Sequence, residues 1–87
     1  DILIAMTTSG NSVNILKVIE LAKKIGVHSF ALTGSSGGKI TSNTDCLRVP
    51  SDDTPRIQES HILIGHIVCG LVEQEMFPNL VPSQLII

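Results

Sequence analysis

The sequence predicts an α/β fold: a three-layer αβα arrangement around a parallel sheet, present as a partial domain of about three strands and two main helices. Three observations carry this. Ile2–Met6 is a short unbroken apolar run, the pattern of a strand covered on both faces. Behind it Ile15, Val18, Ile19, Ala22 and Ile25 recur at steps of three and four, one face of a helix that starts near Asn11 or Ser12. A second run, His28–Thr33, follows directly, and strand, helix and strand in that order make a right-handed βαβ unit with parallel strands.

The first helix ends where Lys23 and Lys24 precede Gly26, basic residues in the last turn and a glycine just past it. Residues 34–38, Gly-Ser-Ser-Gly-Gly, leave the second strand on the same side of the sheet as the turn after the first, the side where open α/β sheets hold ligands. They lack the Walker spacing and any Gly-x-Gly-x-x-Gly pattern, so they read as a flexible connector before a second phosphate cradle. A short helical turn is expected within residues 39–44, then a third strand at residues 46–49, stopped by Pro50. Residues 51–55 are a strong helix start, with Asp52 and Asp53 near the beginning, Thr54 as N-cap and Pro55 at the first helical position. The second helix is expected to run to about Met76 before Pro78, with apolar residues over more than half its circumference and hence buried on more than one side. Residues 78–87 read as a tail.

Eighty-seven residues make one small domain, which buries roughly 60% of its unfolded surface. Hydrophobic content is 43% with only 2% aromatic, so Ile, Leu, Val and Ala must build the core. A net charge of -2 with six Lys and Arg together leaves no basic stripe for nucleic acid. Cys46 and Cys69 fall in no metal or redox spacing and read as reduced, mostly buried thiols of a cytoplasmic protein. The longest apolar stretch, residues 62–72, is broken by His66 and two glycines and is too short for a bilayer, which predicts a soluble chain with no membrane partner. The chain opens on a strand without Met, from which an upstream part of the parent protein is expected.

The turn between the first strand and the first helix carries the chemistry. Residues 7–12, Thr-Thr-Ser-Gly-Asn-Ser, put four hydroxyls, a carboxamide and a glycine at a helix start. The first turn of a helix has N–H groups without intrahelical partners and the positive end of the dipole, so a phosphate there receives those donors plus the hydroxyls of Thr7, Thr8, Ser9 and Ser12. Gly10 removes the Cβ that would keep the backbone from closing around it. A plain N-cap accounts for Ser and Asn at this place equally well.

Gln58, His61 and His66 interrupt the apolar second helix. At about 100° per residue, His61 and His66 stand about 140° apart and cannot share a site as an i, i+4 pair does. Gln58 and His66 are about 80° apart but roughly 12 Å apart along the axis, so a common ligand needs them to lean together or needs a neighbouring chain. A hydrogen-bonded structural role is the simpler reading for either histidine alone. Of the two, His66 beside Gly65 is the better functional candidate, since an imidazole in an apolar run calls for a specific partner.

Taken in order, Thr-Thr-Ser-Gly-Asn-Ser, Ala-Leu-Thr-Gly, Gly-Gly, Arg-Val-Pro and Thr-Pro-Arg-Ile-Gln-Glu-Ser-His-Ile-Leu-Ile-Gly-His resemble the sugar isomerase (SIS) domain, a flavodoxin-like fold, and within it the phosphoheptose isomerases. The resemblance covers residues 1–77, the second half of the family's domain. It implies isomerisation of sedoheptulose 7-phosphate to D-glycero-D-manno-heptose 7-phosphate through an enediol, in lipopolysaccharide precursor synthesis, by a cytoplasmic homotetramer. It further implies that Thr7, Thr8, Ser9 and Ser12 hold the sugar phosphate and that Thr54 lies near the sugar hydroxyls. Gln58 and His66 would face the carbonyl end, where some members bind zinc, with His66 as one acid/base group. The family's partner glutamate matches no residue here, so the 87 residues alone are expected to be inactive, and Pro55 departs from members that carry an acid there. The alternative is a non-catalytic SIS module that binds a sugar phosphate, such as a regulator or the replication-initiator-associating relative.

Overall fold

The computed structural model describes residues 1–79. Its elements are β1 (Ile2–Met6), α1 (Val13–Lys24), β2 (His28–Thr33), a 3-10 turn (Gly38–Ser42), β3 (Asp45–Arg48) and α2 (Thr54–Met76). The expected tail lies outside the described residues from residue 80 on.

The three strands form one parallel sheet in the order β1-β2-β3, with Ala5 opposite Ala31 and Ala31 opposite Cys46. Because side chains alternate along a strand, these three residues share a face. That face carries the core: Ala5, Ile19, Ala31 and Ile40 are buried together, with Leu3, Ile15, Leu16 and Cys46 packed around them. α1 supplies Ile15, Leu16 and Ile19 to this core and also buries Ala22. Val18 and Ile25 of the predicted stripe are exposed instead, and Leu16, outside that stripe, packs inward. On the opposite face Ile4 and Met6 of β1, Phe30 and Leu32 of β2 and Leu47 of β3 line an apolar groove against Ile64, Gly65, Val68 and Cys69 of α2. The result is the expected αβα layering, in partial form.

Several boundaries move by a residue. β3 runs Asp45–Arg48 rather than over residues 46–49, yet Val49 still donates its N–H to the Thr33 carbonyl at 3.0 Å, so the pairing reaches one step further than the strand. α2 takes Asp53 as N-cap instead of Thr54, which becomes its first residue, and the Asp53 side chain makes no capping bond. Three burial expectations are corrected. β1 is covered on one face only, with Ile2, Ile4 and Met6 exposed on the other. Cys69 is exposed and Cys46 half-buried, both free thiols. In α2 only Ile57 and His61 are buried, while Ile62, Leu63, Leu71 and Val72 are exposed, because the sheet beneath is three strands wide and α2 outruns it. Among the described residues no helix is long and apolar enough to cross a membrane.

Candidate functional site

The site is built where β1 hands over to α1. Thr7 carries the β1–β2 pairing one residue beyond the strand, its N–H donating to the Leu32 carbonyl at 3.0 Å, which leaves the side chain buried. Its Oγ1 accepts the Gly10 N–H at 3.1 Å and lies 3.4 Å from Ser12 Oγ. Ser9 Oγ accepts the Asn11 N–H at 3.1 Å. Two hydroxyls thus bend the turn by accepting backbone N–H groups, and each keeps its own proton to donate.

Ser12 stands at the N-cap of α1, but its hydroxyl makes no capping bond. The first-turn N–H groups therefore lack both an intrahelical acceptor and a side-chain cap. No acidic residue occupies that first turn. This is the electrostatic setting of an anion site, donors and dipole without a competing carboxylate.

Two depressions meet at Thr8. One, of about 450 Å³, is lined by Met6, Thr7, Thr8, Ser12, Gln58, His61 and Ile62. The other, of about 220 Å³, includes Thr8, Ser9, Ser35, Asp52 and Thr54. Thr7, Thr8, Ser12 and Gln58 are brought together in the first, and Ser9 and Thr54 in the second. His66 lines neither and is exposed further along α2. Asp52, beyond its place near a helix start, accepts a hydrogen bond from Ser35 Oγ.

His61 is the residue whose place in the cleft was not foreseen. It is buried, and its Nε2 lies 3.0 Å from the Thr33 carbonyl. A carbonyl only accepts, so Nε2 carries the proton, and the same oxygen also receives the Val49 N–H. The imidazole thereby pins α2 across the end of β2 and holds Gln58, three residues earlier, at the cleft. The readable signal is spacing: Ile57, Gln58, His61 and Ile62 share one side of the helix.

Gln58 and His66 do not fit a zinc ion by themselves. A zinc site takes three or four protein ligands, and these two donors sit two turns apart on one helix. Among the described residues no group of three or more His, Cys, Asp and Glu could hold a metal.

No family model matches the chain. The phosphoheptose isomerase of Aneurinibacillus thermoaerophilus is 54% identical over 80 residues, covering 91% of this chain and 40% of that protein. That of Rhodospirillum rubrum is 53% identical over 77 residues, covering 87% of this chain and 41% of its own length. The solved phosphoheptose isomerase of Francisella tularensis superposes with a TM-score of 0.80 at 45% identity, covering 85% of this chain and 42% of that one. The chain thus spans about 40% of the length of the curated relatives it matches.

Proposed function

We infer that this chain is a partial SIS domain of the phosphoheptose isomerase family, and we propose that it supplies the phosphate grip and one acid/base group of an enzyme that isomerises sedoheptulose 7-phosphate. The observation that carries the reading is the common cleft of Thr7, Thr8, Ser12 and Gln58, at the carboxyl end of a parallel sheet and against an uncapped helix start. Thr7, Thr8, Ser9 and Ser12 take the phosphate, Thr54 the sugar hydroxyls, and Gln58 the carbonyl end.

Ketose-to-aldose isomerisation removes a proton from C1, protonates the carbonyl oxygen at C2 to give an enediol, then returns a proton to C2 as the O1 hydroxyl becomes the new carbonyl. One base and one acid suffice. His66 serves as one of them, since imidazole exchanges protons near neutral pH. The other comes from outside these 87 residues, in keeping with relatives whose remaining 60% or so has no counterpart here. His66 lies off the cleft on the exposed, apolar stretch of α2, which suits a homotetramer in which α2 meets neighbouring chain. Gln58 and His66 alone do not make a zinc site, and zinc would need further ligands from outside these residues. The product, D-glycero-D-manno-heptose 7-phosphate, feeds cytoplasmic lipopolysaccharide precursor synthesis.

A chimera tests this: the chain replaces the stretch it matches in the Francisella tularensis enzyme. The chimera is expected to turn over sedoheptulose 7-phosphate, and His66→Asn to lower kcat about 100-fold or more while KM changes only a few-fold. A folded chimera that binds the sugar phosphate without turnover, or an unaffected His66→Asn variant, contradicts the enzyme reading.

A further inference from the structure

The loop after β2 is spent on holding the loop after β1. Thr8 accepts the Gly34 N–H at 3.1 Å, and Gly10 accepts the Ile40 N–H at 3.0 Å, both through their carbonyls. Asn11 Oδ1 accepts the Lys39 N–H at 2.9 Å. Three successive anchor points of the turn, at positions 8, 10 and 11, are thus tied to residues 34–40. The N–H groups of Lys39 and Ile40, the donors a second anion cradle would offer, are already taken.

The fit between the two loops is backbone on backbone. Gly10 and Gly38 both have positive φ, 72° and 61°. A Cβ on Gly10 would lie 2.6 Å from the Gly37 carbonyl carbon, and one on Gly38 would lie 2.7 Å from the Gly10 carbonyl carbon. Neither neighbour can rotate away, because each is main chain. Such contact fixes where the Thr8 to Ser12 donors stand before any ligand arrives, which is how preorganised sites gain affinity.

We propose that Asn11, Gly10 and Gly38 are positioning residues: with residues 34–40 they form a brace that sets the geometry of the phosphate turn. This rests on the reading of residues 7–12 as a sugar-phosphate site. The brace accounts for Gly10, Gly38 and the Asn11 amide by contacts between the two loops themselves.

The test uses the whole 87-residue chain with sedoheptulose 7-phosphate and inorganic phosphate as probes. Asn11→Ala removes one tie without a clash and is expected to weaken both affinities about tenfold, the worth of one hydrogen bond, while amide exchange at Lys39 and Ile40 quickens. Gly38→Ala adds the clash and is expected to weaken binding further. Gly26→Ala is the control, since Gly26 has φ 78° but nothing within 4 Å of an added Cβ. It carries the positive-φ strain without touching the turn, and its affinity should stay within about twofold of the parent. If Gly38→Ala does not fold, Asn11→Ala decides alone. Wild-type affinity in Asn11→Ala overturns the brace, as does weakened binding with Lys39 and Ile40 exchange unchanged, which would make Asn11 a direct contact. A parent chain that binds neither probe overturns the site reading and the brace with it.

Discussion

The two faces of the sheet differ in completeness. On the α1 side Ile19 and Ala31 are 0% exposed and the core closes on itself. On the α2 side Ile4 is 49% exposed, and Ile62 of the helix above is 59% exposed. The turn at residues 7–12 is anchored to the first face, through α1 and the 3-10 turn. Gln58 and His66 ride on the second. The half proposed to grip an anion therefore rests on a closed core, and the half proposed to do proton chemistry stands on a helix that leaves Ile62, Leu63, Leu71 and Val72 exposed.

Stability measurements can break this contrast. Ile19→Ala leaves a hole in a closed core and should cost about 3 kcal/mol in urea unfolding of the chain. Leu63→Ala, at a half-exposed site on α2, should cost no more than about 0.5 kcal/mol. Equal losses would mean that α2 is covered in solution.

A smaller effect sharpens the same contrast, because each face holds one cysteine. Burial pushes the Cys46 thiol up from its ordinary range, against the lowering pull of Arg48, and its Sγ leans on the Thr44 carbonyl at 3.4 Å. A raised thiol pKa means less thiolate at neutral pH, and thiolate is the species that alkylates. Iodoacetamide should therefore label exposed Cys69 well before Cys46, and raising the pH should narrow the gap. Faster labelling at Cys46 would place the open face on the wrong side.

Much of this was legible in the residues. β1 and β2 stand where their apolar runs predicted, although the run in β1 marks a face that needs cover rather than one that has it, since Ile2, Ile4 and Met6 are exposed. β3 slid by one, since Asp45 is a polar residue at an exposed start that hydropathy excludes. The extent of α2 followed from Pro55 and Pro78, but hydrophobic periodicity reports that a surface needs cover and not what covers it, so the exposure of Leu63 and Cys69 was illegible. The place of His61 depends on how α2 rotates as it crosses the end of β2, a tertiary fact. Residues 34–38 looked like a connector because glycine serves equally for freedom and for close backbone approach.

Residues 7–15 are proposed to grip the phosphate of a phosphorylated sugar. The most direct measurement of that grip is an amide-shift titration of the 87-residue chain with sedoheptulose 7-phosphate, set beside unphosphorylated sedoheptulose. Saturable shifts are expected at Thr8, Ser9 and the first turn of α1 with the phosphorylated sugar only. Shifts of equal size with both sugars, or none in residues 7–15, would contradict it.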